Sequence, residues 1–217
     1  MQKSKLLKSI KPVIAIDGTA GSGKGTLAKN LSKALAFDHL DTGLLYRICA
    51  LEILEKKINI EKIDIELWLK RNKDLSVLRT DKVSIETSRI SKKKNVRKYL
   101  LKFQKNFGNF PPNGKGSVVD GRDIGSIVFP NADVKFYVDA KPEIRAKRRL
   151  KELRLSHSYY NKILSNLVER DHQDRERKNS PLIKTKDSFL IDTTNLSEKA
   201  VLDLAITILK KNTEIIK

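Results

Sequence analysis

A glycine-rich segment at residues 18–26 constrains the fold of this chain more than any other feature of the sequence. It lies between an apolar run at residues 12–16 and a segment with apolar residues at helical spacing, residues 27–35. Glycines allow successive backbone N–H groups to face one cluster of anionic oxygens, while Lys24 and the N-terminus of the following helix add positive charge. The order of strand, loop and helix therefore predicts a site for the phosphates of a nucleoside triphosphate. The residues of this loop are Gly18, Thr19, Ala20, Gly21, Ser22, Gly23, Lys24, Gly25 and Thr26.

The hydroxyl group of the loop comes one position later than in the common pattern G-x-x-x-x-G-K-[ST], because Gly25 follows Lys24 and Thr26 comes next. The form G-x-x-G-x-G-K-G-T is similar to that of nucleoside monophosphate kinases, whereas GTPases and most ATPase motors place the hydroxyl directly after the lysine. In loops of this kind the hydroxyl contacts the Mg2+ ion that accompanies the triphosphate. Thr26 is therefore the candidate metal ligand.

Short apolar segments alternate with segments of helical spacing along most of the chain. Strands are predicted at residues 12–16, 39–41, 117–120, 133–138 and 189–192. Such alternation favours a parallel sheet that is covered by helices on both faces and binds ligands at the carboxyl ends of its strands. The predicted fold is thus α/β, with a parallel sheet of the P-loop NTPase type flanked by helices.

The region between the second and third predicted strands is less regular. Residues 59–88 mix polar and β-branched side chains, whereas residues 88–106 hold eight basic residues and no acidic one, with apolar residues at a spacing that suggests a helix. Residues 107–116 are rich in glycine, proline and asparagine, so we expect them to form a loop leading into the next strand.

The chain carries 45 Lys and Arg against 26 Asp and Glu, a formal net charge of +19. This charge suits polyanionic partners but does not by itself choose between nucleotides and nucleic acid. Aromatic residues make up only 6% of the chain, and the basic residues are spread along most of it. RNA-binding modules instead combine basic residues with aromatic side chains on neighbouring strands. Residues 1–11 hold too few apolar residues for a signal peptide or a membrane span, so we expect a cytoplasmic protein without a membrane partner.

Four clusters of charged or hydroxyl-bearing residues follow predicted strands or occupy a polar helix face, at residues 18–26, 41–47, 120–123 and 170–177. In the last cluster Arg170, Asp174 and Arg177 are spaced i, i+4 and i+7, so they share one face of a helix. The same spacing is typical of a solvated helix with ion pairs. The position of this face relative to the glycine-rich loop has to decide between a binding site and a solvated face.

Over about residues 13–208 the sequence resembles the bacterial cytidylate kinases. The resemblance is carried by four motifs in the order of that family: the loop at 18–26, Leu-Asp-Thr-Gly at 40–43 with Tyr46 and Arg47, Asp-Gly-Arg-Asp-Ile-Gly at 120–125 with Val-Phe-Pro at 128–130, and Glu-Arg-Asp-His-Gln-Asp-Arg at 169–175. It implies transfer of the γ-phosphoryl group of ATP to CMP or dCMP, with Mg2+ as cofactor. It also implies a monomer whose partners are these nucleotides and no specific nucleic acid.

The family organisation that the resemblance implies is one domain over residues 1–217. Its core covers about 12–58, 107–150 and 187–212, with a CMP-binding insert at about 59–106 and a mobile lid at about 151–186. In the family the insert builds a small sheet over the acceptor base, and this chain is shorter between residues 57 and 88.

Carried over position by position, the resemblance assigns the loop 18–26 to ATP and catalysis to Lys24, Arg122 and Arg177. The residues implied at the acceptor nucleotide are Thr42, Arg47, Arg122 and Arg177 at the phosphate side, Ser88, Arg97 and Asp123 at the cytosine, and Arg170 and Asp174 at the sugar. Cytosine presents an amino donor beside two acceptors, which a carboxylate together with a guanidinium or hydroxyl group complements.

Two alternatives to a cytidylate kinase remain open at this stage. Another nucleoside monophosphate kinase, acting on UMP or AMP, also uses an Asp-Thr-Gly segment followed by arginine. A basic P-loop ATPase that binds RNA would explain the net charge of +19.

Overall fold

A parallel five-stranded sheet forms the centre of the molecule in a computed structural model that describes residues 11–72 and 74–216. The strands are β1 (Val13–Gly18), β2 (Asp38–Asp41), β3 (Ser117–Gly121), β4 (Val134–Asp139) and β5 (Ser188–Asp192). Their order is β2-β3-β1-β4-β5, and each neighbouring pair is parallel. The predicted α/β fold is confirmed, and β1, which leads into the glycine-rich loop, is the central strand.

Helices cover both faces of this sheet. They are α1 (Lys24–Leu35), α2 (Thr42–Lys56), α3 (Ile65–Arg71), α4 (Asp81–Ile90), α5 (Lys94–Asn109), α6 (Pro142–Glu152), α7 (Tyr160–Glu176) and α8 (Glu198–Asn212). A short π-helical turn at Ile124–Val128 follows β3. Among the described helices, none is both long enough and apolar enough to cross a lipid bilayer.

Alternate residues of β1 point to two separate hydrophobic layers, as the two-residue period of a strand requires. Val13 and Ala15 pack with the helices between β2 and β3, whereas Ile14 and Ile16 pack with α1 and α8. These four side chains are at most 1% exposed, so β1 is buried on both faces. The loop that follows β1 is therefore attached to a strand that is buried on both faces.

The described residues between α2 and β3 form helices joined by loops and turns, and no strand is found among them. The small sheet that this insert forms in the family is therefore absent from the residues that the structure describes, in the region where this chain is shorter. Instead of one helix over residues 88–106, α4 ends at Ile90 and α5 begins at Lys94 after a short turn. Ile90, Val96 and Leu100 are buried against the layer that also covers Val13.

The prediction of a loop over residues 107–116 is wrong for residues 107–109, because α5 continues to Asn109 and the chain leaves the helix at Phe110. Packing explains why the glycine in this stretch does not end the helix. A Cβ atom at Gly108 would lie 2.2 Å from Cζ of Phe129, so only glycine allows α5 to approach that ring. Tertiary packing thus outweighs the local preference of glycine for a turn.

Gly108→Ala should lower the free energy of unfolding by about 1–3 kcal/mol, because the buried Phe129 ring must move to admit the methyl group. The higher helix propensity of alanine offsets about 1 kcal/mol of this loss at most. Urea denaturation followed by circular dichroism measures the change. Asn106→Ala, at an exposed position of the same helix, is the control and should leave stability unchanged or slightly raised. Equal stability of the two variants would contradict the packing argument.

Candidate active site

The glycine-rich loop joins β1 to α1 at the middle of the sheet. Gly21 and Gly23 have φ angles of 74° and 87°, in the left-handed region that favours glycine. Since α1 begins at Lys24, the unpaired N–H groups of its first turn and the positive end of its dipole point toward the loop. This is the geometry of a loop that binds phosphate groups.

The side chain of Lys24 lies near two arginines, Arg122 and Arg170, and two carboxylates, Asp41 and Asp120. Its Nζ donates a hydrogen bond to the carbonyl oxygen of Thr19 at 3.4 Å. Burial and the neighbouring Arg122 guanidinium lower the pKa of Lys24 to about 7. An anion placed beside Nζ reverses this effect, because an opposite charge favours the ammonium form. Lys24 is therefore a cation whose charge depends on whether an anion is bound.

Two carboxylates, Asp41 and Asp120, lie at the carboxyl ends of β2 and β3; they fall within the charged clusters of the sequence but have no role predicted from it. They are register partners on neighbouring strands, and both line the same cavity as Lys24. Burial and the adjacent Asp120 carboxylate raise the pKa of Asp41, and Nε2 of His39 lies 2.7 Å from Oδ1 of Asp120. An acidic residue at the end of each predicted strand was the signal available in the sequence.

A cavity of about 410 Å³ lies between the glycine-rich loop and residues of α2, α4, α5 and α7. Eight basic and five acidic side chains line it, so its surroundings attract anions. The loop contributes Ala20, Gly21, Lys24 and Gly25. The residues predicted on the acceptor side all line the same cavity: Thr42, Arg47, Ser88, Arg97, Arg122, Asp123, Arg170, Asp174 and Arg177.

Arginine and aspartate side chains alternate in a continuous chain along this cavity. Nη2 of Arg97 donates to Oδ2 of Asp123, and Nη2 of Arg177 lies 3.8 Å from Oδ1 of the same carboxylate. Nη1 of Arg177 lies 3.3 Å from Oδ1 of Asp174, whose Oδ2 accepts a hydrogen bond from Nε of Arg122 at 2.9 Å. Three guanidinium groups are thus separated by two carboxylates, which reduces their mutual repulsion.

The carboxylates do not use all the hydrogen-bonding capacity of these arginines. Nη2 of Arg177 is buried and has no hydrogen-bond partner in the part of the chain that the structure describes. Burial and, to a smaller extent, the nearby Arg122 lower the pKa of Arg170 to about 10. Although burial acts in the opposite direction, Arg122, Arg170 and Arg177 lower the pKa of Asp174. The cavity therefore holds an ionised carboxylate and spare donors for a second anion.

Two of the predicted residues also connect segments across the cavity. Nη1 of Arg47 donates to the carbonyl oxygen of Leu78 at 2.8 Å and to Oγ of Ser84 at 3.1 Å, so the segment before β3 orients this guanidinium. Oγ of Ser88 donates to Oε1 of Gln173 at 3.3 Å, which links α4 to α7. The sequence contained no local signal for these partners.

Some residues of the loop lie outside the cavity lining. Thr26, the candidate metal ligand, is exposed in the first turn of α1 and does not line the cavity. The others outside the lining are Gly18, Thr19, Ser22 and Gly23. Thr19 shapes the loop instead, because its hydroxyl donates to Oδ1 of Asp139 at 2.6 Å.

The central P-loop and the cationic cavity in front of it define a P-loop kinase. The fold is similar to the crystal structures of a sugar kinase from a Janibacter species and a gluconokinase from Sinorhizobium meliloti, each at a TM-score of 0.51 and 12% identity over 95% of this chain. These matches cover 99% and 96% of the respective chains. By sequence, the chain belongs to the cytidylate kinase family, whose profile matches residues 14–211.

Curated relatives support the same assignment. The chain is 39% identical over 206 residues to a cytidylate kinase of Paramagnetospirillum magneticum, which covers 91% of this chain and 97% of the relative. It is 42% identical to a cytidylate kinase of Bartonella henselae, over 91% of this chain and 94% of the relative. A cytidylate kinase of Thermosipho melanesiensis is 41% identical, with 91% and 96% covered. The expected resemblance is confirmed.

The pKa of Lys24 leads to a testable pH dependence of triphosphate binding. With a pKa of about 7 in the free protein, Lys24 is largely neutral at pH 8 and must gain a proton when phosphates bind. We expect the affinity for ATP to fall by up to about tenfold per pH unit above pH 7, with uptake of up to one proton. Calorimetry at pH 8 in buffers of different ionisation enthalpy measures this uptake.

Lys24→Arg is the matched control, because arginine stays charged over this range and has no proton to gain. The same proton uptake in this variant as in the native protein would show that a different group titrates.

Proposed function

We propose that this chain transfers the γ-phosphoryl group of ATP to CMP or dCMP, producing ADP and CDP or dCDP. The observation that carries the proposal is that one cavity contains both the P-loop lysine and a second group of arginines on the acceptor side. Membership of the cytidylate kinase family supports it. A single phosphate site would need only the loop, whereas two phosphates that repel each other need cations on both sides.

The reaction requires that the two phosphates be positioned in line and their negative charge be neutralised, and it does not require a strong base. An oxygen of the acceptor phosphate, already ionised at neutral pH, forms a bond to the γ-phosphorus, and the bond from that phosphorus to the bridging oxygen breaks. ADP leaves with that electron pair. We propose that Lys24, Arg122 and Arg177 are the catalytic residues, since cations placed around the moving group stabilise its equatorial charge.

For the donor, we propose that residues 18–26 bind the ATP phosphates through backbone N–H groups and Lys24. For the acceptor, we propose that Thr42, Arg47, Arg122 and Arg177 hold the CMP phosphate, that Ser88, Arg97 and Asp123 contact cytosine, and that Arg170 and Asp174 contact the sugar. Nη2 of Arg177 supports the phosphate assignment: among the described residues it has no hydrogen-bond partner, and a buried donor in this state costs free energy until an acceptor arrives.

We propose that Mg2+ accompanies ATP. Asp41 and Asp120 place hard carboxylate oxygens beside Lys24 and Gly25, and Mg2+ is commonly bound by one or two carboxylates together with substrate phosphates. The proposed hydroxyl ligand is Thr26, in the first turn of α1. When bound, Mg2+ supplies positive charge at the β- and γ-phosphate oxygens.

We further propose that residues 59–106 act as the CMP-binding insert and residues 151–186 as a lid within a single domain over residues 1–217. Contacts across the cavity support this division: Arg79 pairs with Glu152 at 2.7 Å, and Ser88 bonds to Gln173. Closure of a lid excludes water, whose attack on ATP would waste the phosphoryl group. We also propose that the protein is a monomer and works in the cytoplasm, where ATP is available.

An acceptor panel tests the proposed function. We expect ADP release with ATP and Mg2+ when CMP or dCMP is the acceptor, and a kcat/KM for UMP at least about tenfold below that for CMP. AMP and GMP should support less turnover still. Turnover with AMP and none with CMP would identify another nucleoside monophosphate kinase. RNA-stimulated, salt-sensitive hydrolysis of ATP without any monophosphate would instead favour an RNA-binding ATPase.

Asp123→Asn tests the proposed contact with the cytosine amino group. The variant should reduce the preference for CMP over UMP by about 5- to 150-fold. The reason is that a carboxylate facing a uracil carbonyl costs about 1–3 kcal/mol, whereas an amide can donate a hydrogen bond to that carbonyl. The ratio of kcat/KM for the two acceptors is the measurement. Asp174→Asn is the matched control: it removes a similar paired carboxylate at the sugar side and should reduce both acceptors alike. Equal ratios in the two variants would place the base contact elsewhere.

A further inference from the structure

A buried ion pair connects the glycine-rich loop to the helix that carries the acceptor-side residues. Arg145 of α6 and Asp171 of α7 are 3% and 2% exposed, and Nη1 of Arg145 lies 2.5 Å from Oδ2 of Asp171. Ala20 of the loop, Ala146 of α6 and Ile163 and Leu167 of α7 belong to one apolar cluster that joins the same three elements. Neither charged side chain lines the cavity, so the pair makes no contact with the space where substrates would bind.

Both members of the pair bond to the backbone of one residue in the loop. The N–H of Ala20 donates to Oδ1 of Asp171 at 3.1 Å, and the carbonyl oxygen of Ala20 accepts from Nη1 of Arg145 at 3.0 Å. Nε of Arg145 also donates to the carbonyl oxygen of Ala140, just after β4, at 2.8 Å. The orientation of the peptide groups on both sides of Ala20 is therefore set by α6 and α7.

On α7, Asp171 lies directly after Arg170 and three residues before Asp174. Arg170 and Asp174 line the cavity, whereas Asp171 contacts the loop. Asp174 in turn is bonded to Arg122 and paired with Arg177. One turn of a helix thus joins the backbone that would hold the donor phosphates to the guanidinium groups that would hold the acceptor.

We propose that Arg145 and Asp171 are positioning residues for phosphoryl transfer, which hold the backbone of Ala20 in a fixed place relative to α7. The inference rests on the proposed function, because it assigns the pair a role in aligning the two phosphates. An ion pair that is well enclosed keeps its geometry, since the low local dielectric strengthens it and leaving either partner alone is unfavourable. A displacement of about 1 Å between reacting groups lowers the rate about 100-fold, so alignment of this kind affects kcat more than binding.

The test uses Asp171→Asn, which keeps an oxygen that can accept from Ala20 but removes the charge that holds Arg145. We expect kcat with CMP to fall about 30- to 100-fold, while KM for ATP and for CMP changes less than about threefold. Leu209→Ala is the control for lost stability, because Leu209 is fully buried in the layer between the sheet and α8. Measured well below both melting temperatures, this control should keep kcat within about twofold of the native value. An equal loss of kcat in both variants, or none in Asp171→Asn, would show that the pair is only structural.

A second measurement keeps the proposal testable if Asp171→Asn does not fold. Hydrogen exchange of the Ala20 amide in the native protein, without nucleotide, should be slow and should accelerate at least about tenfold in Arg145→Lys, which keeps the charge but loses the planar fork. Rapid exchange of the Ala20 amide in the native protein would refute the proposal that Arg145 and Asp171 hold this residue in place, whichever nucleotide the enzyme phosphorylates. Failure of the native protein to phosphorylate CMP would instead refute the proposed function, and slow exchange of Ala20 would then still stand as a separate result.

Discussion

Alternation of charge is the interaction on which the proposed active site depends. Three guanidinium groups, of Arg97, Arg122 and Arg177, occupy one cavity and would repel one another without Asp123 and Asp174 between them. The carboxylates keep the arginines in place before any substrate binds. Nη2 of Arg177 has no hydrogen-bond partner within the described residues, so this group can still donate to a phosphate oxygen. Such preorganisation lets charge be stabilised in the reaction without moving the protein.

The order of strands brings these charges close to the glycine-rich loop. With β1 in the middle and β3 beside it, the carboxyl end of β3 delivers Asp120, Arg122 and Asp123 next to the start of the loop. Burial, together with Arg122, lowers the pKa of Lys24 toward neutrality, although Asp120 and Asp41 act in the opposite direction. The large net charge of the chain thus has a local counterpart in the cavity, where the described basic side chains outnumber the acidic ones.

Sequence patterns were most successful where a local conformation and a local chemistry coincide. The loop at 18–26 lies between β1 and α1 as predicted. The acceptor-side residues that the family resemblance implied line one cavity, and their roles stay a prediction. The patterns failed where packing competes with composition. Gly108 was placed in a loop from its turn-like surroundings, but it belongs to α5 because the ring of Phe129 fills the space beside it. The helix expected over 88–106 is interrupted at a turn that no apolar period indicated.

The sequence alone determined the class of fold, the phosphate-binding loop and the resemblance to cytidylate kinases, because these follow from short segments whose residue types and spacing are read directly along the chain. Only the tertiary structure decided which carboxylate pairs with which arginine, that Arg47 is oriented by Leu78 and Ser84, and that Arg145 and Asp171 fix Ala20. The physical reason is distance along the chain. Ala20 and Asp171 are 151 residues apart, and a contact of that range depends on the packing of helices that no local pattern encodes.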